Sequence, residues 1–372
     1  MAAVYSSDRW DLDLSGLLMT GVSGLLGGEL LAQLPPARPG ARIYILARDP
    51  DRIPERFRGQ QFSTLTGDIR RPNLGLKDWQ VTALQRSVTE IIHCAADTRL
   101  DAPLQEARET NCQGTVNLLL LAAGCERLIK FLHVSTTYIA GRLAGAIPES
   151  VIAHSQRFCN FYQQSKYEAE STVASFAASV PVAIARLSTI VGDSRGLVNK
   201  QNCVHQLLRL FPKSHLQQVP CEPKELVDLV SSDLAADALA WLFLNRFQAG
   251  EVWHITDGPT AGFTVDEVLA ETHRLFVHHP NAQRWLPIEM PRLVPLIEYE
   301  EFVERTMSSG SRLTAELLRA VGYYLPHLGM AQTFENHRTR GLLAPSGLEP
   351  PPVRQLYAGV VRWCLDTDWG RA

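Results

Sequence analysis

The sequence has few cysteines, no long hydrophobic run and no marked excess of charge of either sign. Its seven cysteines are scattered over 372 residues and none forms a CxxC pair, so neither a zinc site nor a disulfide framework is expected. Apolar stretches such as Leu118–Ala123 are far too short to cross a bilayer. The N-terminal residues lack the basic and apolar segments of a secretory signal. We therefore expect a cytoplasmic protein with reduced thiols and no stable membrane span.

The charge balance excludes a further class of partner. The chain carries 36 Lys and Arg against 39 Asp and Glu, a net charge of −3, and it has no dense basic cluster. A nucleic-acid partner is therefore not expected. With 45% hydrophobic and 20% charged residues, the composition is that of a globular protein large enough for two structural lobes.

Short apolar runs alternate with helical patterns through the first half of the chain. The predicted strands are Gly16–Thr20, Arg42–Ala47, Gln61–Leu65, Glu90–Cys94, Phe131–Ser135 and Val182–Leu187. The predicted helices are Leu25–Leu34, Leu76–Gln85, Leu104–Gly124 and Phe161–Ala178. Strands and helices that alternate at this spacing form βαβ units. The predicted fold class is therefore α/β, a doubly wound parallel sheet with helices on both faces.

A glycine-rich turn, residues 20–27 with the sequence TGVSGLLG, follows the first predicted strand and opens the first predicted helix. Glycines let the backbone turn tightly, and they let a pyrophosphate approach the amides at the helix N-terminus, where the helix dipole favours an anion. The turn predicts contacts with a dinucleotide cofactor from Thr20, Gly21, Ser23, Gly24, Leu25, Leu26 and Gly27. The alternative is a turn whose glycines serve only close packing.

The end of the second predicted strand indicates which dinucleotide binds. NAD enzymes usually place an acidic residue about 20 positions after the glycines, where it holds the ribose 2′-hydroxyl. Here Ala47 occupies that place and Arg48 follows it. A guanidinium suits a 2′-phosphate through its charge and its paired donors. We therefore expect NADP(H); the alternative is a solvated arginine at the start of a loop.

The second half of the chain is less regular and predicts a division into two domains. A helix, Ala235–Leu244, and a strand, Glu251–Thr256, are placed to rejoin the sheet, whereas the rest has no clear period. The expected domains are an NADP-binding Rossmann domain of residues 1–192 plus 227–257, and a smaller, mostly helical substrate-binding lobe of residues 193–226 plus 258–372.

Several motifs, in this order and spacing, resemble those of the extended short-chain dehydrogenases/reductases. Residues 20–27 resemble their TGxxGxxG motif, and Tyr162-Gln163-Gln164-Ser165-Lys166 matches their YxxxK. The other matching positions are Gly67-Asp68, His93-Cys94-Ala95-Ala96, Asn111 and Val134-Ser135-Thr136-Thr137-Tyr138. The likeness covers about residues 15–257.

The resemblance implies roles for individual residues. The catalytic residues would be Thr136, Tyr162, Lys166 and Asn111. Cofactor contacts beyond the glycine turn and Arg48 would come from Asp68, Ile69, Cys94, Ala95, Ala96, Tyr162, Lys166, Leu187, Thr189 and Ile190. Two readings of Asn111 stay open: a helix-face residue, or part of a proton relay through water and Lys166.

Within that superfamily the sequence is most similar to the fatty acyl-CoA and thioester reductases of the male-sterility type. The similar segments are VSTTYIAG at 134–141, Arg186–Arg195, and Val227–Val230 followed by Asp233. Two positions depart from that branch: Leu187 replaces a usual proline, and Ser231-Ser232 stand where Pro-Val is expected. The C-terminal third matches no family pattern.

The YxxxK spacing suits proton transfer. Tyr162 and Lys166 are four residues apart on a predicted helix, so both project from one face. We expect the Lys166 ammonium to lower the pKa of the Tyr162 phenol from about 10 toward working pH. Tyr162 would donate a proton to a nascent alkoxide, and Lys166 would hold the nicotinamide ribose hydroxyls. The Thr136 hydroxyl would stabilise charge on the substrate oxygen, while the nicotinamide supplies hydride.

Other residues with catalytic uses elsewhere are given structural roles. His93 ends a buried strand, and Cys94 and Cys112 are expected in the core. No metal site is expected, because ligand spacing is lacking at His278, His279 and His327.

The leading hypothesis is NADPH-dependent reduction of an acyl thioester, on CoA or an acyl carrier protein, to an aldehyde or alcohol. The alternatives are a carbonyl or alcohol dehydrogenase, an epimerase-like enzyme, or a protein that binds NADP without turnover. Ala47-Arg48 disfavours an NAD-dependent epimerase, and the intact catalytic set disfavours a protein without activity. The oligomeric state stays open, with a homodimer through the YxxxK helix as one arrangement.

Overall fold

A computed structural model of the chain describes residues 16–35, 40–152, 156–213, 217–221, 224–258, 262–285, 287–309, 316, 318–319 and 321–371. Residues 1–15, on which the expectation about a secretory signal rests, lie outside the described residues. Within the described ranges, no helix is long and apolar enough to cross a membrane.

The strands form one large sheet and three small parallel pairs. Their bounds are β1 Gly16–Thr20, β2 Arg42–Ala47, β3 Phe62–Thr66, β4 Val88–His93, β5 Lys130–Thr136, β6 Gly145–Ile147, β7 Val182–Leu187, β8 Thr189–Gly192, β9 Gln218–Pro220, β10 Leu229–Ser231, β11 Val252–Ile255, β12 Arg292–Val294 and β13 Gln332–Phe334. Seven parallel strands make the main sheet in the order β11-β7-β5-β4-β1-β2-β3. The small pairs are β8 with β10, β9 with β12 and β6 with β13.

Helices cover the sheet and build the C-terminal region. Their bounds are α1 Leu25–Gln33, α2 Asp78–Ser87, α3 Leu104–Arg108, α4 Gly114–Ala123, α5 Phe161–Ser175, α6 Cys203–Leu210, α7 Ser232–Asn245, α8 Val265–Val277, α9 Leu296–Ser309, α10 Leu325–Leu328, α11 His337–Leu343 and α12 Val353–Asp366. This arrangement confirms the predicted doubly wound α/β fold, because a parallel sheet buried on both faces needs a helical layer on each.

The strand predictions succeed because each central strand is a nearly continuous apolar run. All five residues of β1 are buried, and the predicted bounds of β1, β2 and β7 are those observed. The other three strands differ from prediction by one or two residues. Two hydrophobic clusters cover the faces of the sheet: one includes α1 and α7, and the other includes α4 and the end of α5.

The predicted helix Leu104–Gly124 contains an interruption. A π-helical turn, Glu109–Gln113, separates α3 from α4. An extra residue in a helical turn rotates the side chains around it, and such turns are frequent at functional sites. This turn carries Asn111 and Cys112.

The C-terminal region is more regular than its sequence suggested. Helix α8 begins with a capping box, in which Thr264 and Glu267 satisfy each other's backbone amides. That signal, a threonine followed three residues later by glutamate, was present in the sequence. Two hydrophobic clusters, separate from those of the sheet, stabilise much of this region. However, its helix α11 packs against α7 and β11 of the sheet layer. The two-domain division therefore stays a proposal.

Candidate active site

The candidate residues gather at the carboxyl ends of the central strands, the edge at which open parallel sheets bind ligands. Thr20 ends β1 and lies opposite His93 at the end of β4. Thr136 ends β5 and lies opposite Leu187 at the end of β7. Positions that are far apart in the sequence thus meet along one edge of the sheet.

The glycine turn between β1 and α1 has the geometry of a phosphate cradle. Gly21 has a φ of +78°, and a Cβ there would lie 2.5 Å from the carbonyl carbon of Cys94. A Cβ on Gly27 would lie 2.3 Å from the carbonyl oxygen of Gly21, so only glycine fits either position. Gly24 caps α1 in extended conformation without a side-chain bond. The amides of the first helical turn therefore lack intrahelical acceptors.

The remaining turn residues have different surroundings. Ser23 is exposed, whereas Leu25 and Leu26 are half-buried. Thr20 is fully buried; its hydroxyl lies 2.8 Å from His93 Nδ1 and accepts a hydrogen bond from the amide of Ala95. The Thr20 side chain thus links the end of β1 to the end of β4 by hydrogen bonds, next to the glycine turn.

His93 is a structural residue, as expected. Its second nitrogen lies 3.1 Å from the Thr115 hydroxyl on α4, and burial lowers the pKa of His93 to about 3. A neutral imidazole with a hydrogen-bond partner at each ring nitrogen holds the end of β4 in place. Burial likewise raises the pKa of the adjacent Cys94 thiol to about 12, which makes it a packing residue rather than a nucleophile. Ala96 is half-buried beside it.

Basic side chains surround the ends of β2 and β3. Arg48 is exposed directly after β2, and its charge contributes to the lowered pKa of Asp68, whose main cause is the hydrogen bond from Arg70. Arg70 pairs with both carboxylate oxygens of Asp68, at 2.6 Å for the shortest contact. Ile69 is buried against Gly114 at the start of α4. The Arg70 guanidinium is therefore engaged by Asp68, whereas the Arg48 side chain is exposed.

The predicted catalytic side chains lie together at the end of β5. Tyr162 and Lys166 are both buried on α5, and the Thr136 side chain lies close enough to the Tyr162 hydroxyl to influence its pKa. Burial raises the pKa of Tyr162 to about 12, and the Thr136 side chain opposes that rise. The expectation that Lys166 lowers this pKa is wrong for this arrangement, because burial is the largest influence on the phenol and the Lys166 ammonium is not among the groups that shift it.

The Lys166 ammonium has its partners on β5. Its Nζ donates to the Val134 carbonyl oxygen at 3.0 Å and lies 3.3 Å from His133 Nε2. Burial lowers the pKa of Lys166 to about 8, although the Glu170 carboxylate opposes that shift. The ammonium therefore remains protonated at neutral pH in a site with little water.

Asn111 joins the loop after β4 to the catalytic helix. Its amide oxygen accepts from the Asp97 backbone N–H at 2.8 Å, and its amide nitrogen donates to the Asp97 carbonyl oxygen and to Ser165 Oγ. The π turn directs Asn111 at α5, and Cys112 beside it bonds the Ser165 carbonyl oxygen. Asn111 does not contact Lys166 directly among the described residues, so the relay stays a proposal.

A cluster of side chains borders Tyr162, and sequence reasoning had assigned a site role to only one of them, Thr189. The ring of Tyr138 lies 6.3 Å from that of Tyr162, edge to face, its hydroxyl is 3.4 Å from Thr189 Oγ1, and Cys203 lies close to that hydroxyl. The ring of His327 packs against that of Tyr138, with centroids 4.0 Å apart and ring planes inclined at 53°. No sequence signal links these residues, because they come from four separate segments.

Three of the family-like positions belong to the core or pack against it. Arg186 is fully buried and pairs with Glu170 of α5 through three contacts, the shortest 2.9 Å. Leu187 is buried in the sheet core and Ile190 packs against it. Within the described residues, no three histidine, cysteine or acidic side chains are arranged to hold a metal ion.

The parallel sheet and the glycine turn, with Thr136, Tyr162 and Lys166 beside it, define the class as an extended short-chain dehydrogenase/reductase. The chain belongs to the male sterility protein family, whose profile matches residues 19–239. Relatives in this family are NAD(P)-binding reductases.

Two curated relatives and two solved structures are similar to the chain. The hybrid PKS-NRPS synthetase pvhA of Talaromyces variabilis is 27% identical over 69% of the chain and 6% of its own length. Fatty acyl-CoA reductase 1 of Homo sapiens is 27% identical over 72% of the chain and 62% of its own length. The chain thus spans less than two thirds of either relative.

The solved structures share the fold over nearly the whole chain. The terminal R domain from the myxalamid PKS-NRPS biosynthetic pathway has a TM-score of 0.73 at 22% identity, covering 96% of this chain and 92% of that one. The reductase (R) domain of a nonribosomal peptide synthetase from Mycobacterium tuberculosis has a TM-score of 0.67 at 20% identity, covering 96% and 93%.

Proposed function

We propose that the protein is a cytoplasmic, NADPH-dependent reductase of acyl thioesters carried on CoA or on an acyl carrier protein. The observation that carries the proposal is the half-buried Thr136 side chain next to the hydroxyl of the buried Tyr162, at the sheet edge that also carries the glycine cradle. The names of the relatives, a fatty acyl-CoA reductase and a synthetase of the PKS-NRPS type, favour a thioester over a ketone or a sugar as the substrate. A homodimer through α5 is part of the same proposal.

The residues of the glycine turn fit a dinucleotide. The cradle has no room for a Cβ at Gly21 or Gly27, and the amides at the start of α1 lack intrahelical acceptors, so a pyrophosphate has both space and donors. Arg48, exposed at the end of β2, would pair with the 2′-phosphate of NADPH. When bound, the reduced nicotinamide supplies the hydride.

The chain's own residues would then handle the substrate oxygen and its proton. The Thr136 side chain lies close enough to the Tyr162 hydroxyl to influence its pKa, so both hydroxyls would be placed to donate to one thioester carbonyl oxygen. Because the pKa of Tyr162 is raised to about 12, the phenol is protonated at neutral pH and ready to donate. Its proton would pass to the alkoxide as the carbonyl carbon is reduced. The resulting hemithioacetal releases a thiol and leaves an aldehyde.

One assay tests the proposal by following two products. The purified chain would be mixed with NADPH and a panel of acyl-CoA thioesters, aldehydes and ketones, with NADPH loss and thiol release recorded together. We expect thiol release with thioesters only, at one NADPH per thiol for an aldehyde product and two for an alcohol. Turnover of ketones alone, without any thioester, would contradict the proposal and favour a carbonyl reductase.

The catalytic assignment has its own matched pair of variants. Tyr162→Phe should lower kcat by about 100-fold or more, because a general acid contributes on that order. The control is Tyr167→Phe, which removes a phenol hydroxyl from a half-buried residue of the same helix that lies outside the site. This variant should retain activity. Equal activity of the Tyr162→Phe variant and the unmodified protein would remove the phenol from the mechanism.

A further inference from the structure

A cavity lies beyond the C-terminal ends of α6, α8 and α12, apart from the glycine turn. It encloses about 500 Å³, within the size range of small-molecule sites. We call it the arginine–tryptophan cavity; its lining residues are Arg209, Pro212, Arg284, Trp285, Asp368, Trp369 and Arg371.

The cavity carries positive charge that the described chain leaves largely unpaired. Three guanidinium groups face one carboxylate, that of Asp368, so the lining has a formal charge of 3 − 1 = +2. The side chains of Arg284 and Arg371 are exposed and make no hydrogen bond or ion pair within the described ranges. Among the residues that the structure describes, the Arg209 guanidinium donates only to a neutral group, the Gln201 amide oxygen, at 3.1 Å. Such an arrangement favours an anion with several oxygens.

One aromatic wall of the cavity packs against an arginine. The Arg209 guanidinium lies over the Trp369 ring, 5.5 Å from its centre, and the Trp369 residue is 7% exposed. The Trp369 backbone is left-handed, with a φ of +58°, and its amide bonds the Cys364 carbonyl oxygen at 2.8 Å. This bond ends α12 in a left-handed turn, and Gln201 also bonds the Trp369 carbonyl oxygen. A rigid, partly apolar wall strengthens the attraction between a guanidinium and an anion.

Helix α6 connects this cavity to the candidate active site. Cys203 at its first turn lies close to the Tyr138 hydroxyl, and Arg209 lies six residues further along the same helix. At 1.5 Å per residue that separation is about 9 Å along the helix axis. An extended pantetheine arm, with two amide units between its sulfur and its phosphate, is longer than this distance.

The geometry points to the arginine–tryptophan cavity as the site that holds the phosphate end of the substrate's pantetheine arm. This inference rests on the proposed function, because only a thioester of that kind brings both a reducible carbonyl and a distant phosphate. The phosphate belongs either to CoA or to a carrier-bound phosphopantetheine, and the shared chemistry is a phosphate ester at the end of the arm. Its oxygens would accept hydrogen bonds from Arg209, Arg284 and Arg371.

A phosphate-free substrate provides the decisive comparison. The same acyl group would be presented as a CoA thioester, as a carrier-bound thioester and as a pantetheine thioester without phosphate. In the double variant Arg284→Gln, Arg371→Gln, we expect KM for a phosphate-bearing thioester to rise roughly tenfold or more, since charge-assisted hydrogen bonds are lost. KM for the pantetheine thioester and kcat for all three should not change. Arg246→Gln, an exposed arginine after α7, is the matched control.

The outcomes separate this inference from the proposed function. A rise in KM for the CoA or the carrier thioester supports the cavity and identifies which source it serves. An unchanged KM for both, or an equal rise for the pantetheine thioester, overturns it. If no thioester is reduced, the proposed function fails, and titration of CoA against Trp285 and Trp369 fluorescence still tests the cavity. Binding of CoA that is equal in the unmodified protein and the double variant would then count against a phosphate site.

Discussion

The ring of His327 packs against the ring of Tyr138, with centroids 4.0 Å apart and ring planes inclined at 53°. His327 belongs to α10 of the C-terminal region, whereas Tyr138 follows directly on the strand that carries Thr136. Burial lowers the pKa of His327 to about 4, so the imidazole is neutral under ordinary conditions. Through this contact the C-terminal region forms one wall of the space beside Tyr162.

The Tyr138–His327 wall should limit the width of the acyl group next to the thioester carbonyl. We expect Tyr138→Ala to raise kcat/KM for an α-branched acyl thioester relative to a linear one by about tenfold, the effect of adding room for one or two carbons. Tyr138→Phe keeps the ring and serves as the control, with an unchanged ratio. The wall has no role in selectivity if the ratio in Tyr138→Ala equals that of the unmodified protein.

The exposed guanidinium of Arg48 should decide between the two nicotinamide cofactors. Arg48→Ala is expected to weaken NADPH binding by roughly tenfold or more, because a charge-assisted pair is lost, and to leave NADH binding nearly unchanged. Dissociation constants for both cofactors can be measured by quenching of tryptophan fluorescence. Arg70→Ala is the comparison, since Arg70 is already paired with Asp68. A similar loss for NADH and NADPH in Arg48→Ala would argue against the 2′-phosphate contact.

The buried ammonium of Lys166 should destabilise the fold near neutrality. Its pKa is lowered from 10.5 to about 8 by burial, which corresponds to a penalty of about 3 kcal/mol at most. Because the folded state loses the proton first, the penalty is complete below pH 8 and is relieved as pH rises from 8 to 10.5. Lys166→Met should therefore unfold at higher urea near neutral pH while losing activity.

The pH dependence gives this prediction its control. The stability advantage of Lys166→Met, reduced by the lost hydrogen bond to Val134, should shrink when urea unfolding is repeated at about pH 10. An advantage that is absent at neutral pH, or that grows with pH, would show that Lys166 is not destabilising in the folded protein.

The buried pair Arg186–Glu170 should be a strong determinant of stability. Both side chains are almost fully buried, and Arg186 also donates to the neutral ring of His254 at 3.1 Å. Arg186→Met leaves a buried carboxylate without its partner and should cost about 3–5 kcal/mol. The double variant Arg186→Met, Glu170→Leu should recover most of that loss. Urea unfolding measures both, and a double variant no more stable than the single one would contradict the account.

Much of the sheet and of the cofactor cradle was predictable from sequence. The buried strands are apolar runs, and the bounds of β1, β2 and β7 follow from them directly. The glycine turn was also predictable, because its positive φ at Gly21 and its close contacts exclude other residues. The capping box of α8 was an available signal that hydrophobic period alone did not reveal.

Other features had no local signal. The π turn that aims Asn111 at Ser165 looks like ordinary helix in sequence, and the raised pKa of Tyr162 depends on burial supplied by distant segments. Lys166 is four residues from Tyr162, yet its ammonium bonds the Val134 carbonyl oxygen of β5 instead. The four-residue spacing places Tyr162 and Lys166 on one face of α5, but the hydrogen-bond partner on β5 decides where the Lys166 ammonium lies.

The sequence by itself determined the parallel sheet, the glycine cradle and the residue types of the Thr136, Tyr162 and Lys166 set, because period, turn chemistry and spacing are local properties. Only the tertiary structure decided how those groups are tuned and what faces them. Desolvation sets the pKa values of Tyr162 and Lys166, and desolvation depends on the packing of the whole chain around them. For the same reason, the position of His327 beside Tyr138 and the arginine–tryptophan cavity could not be predicted from sequence, because segments distant along the chain form both of them.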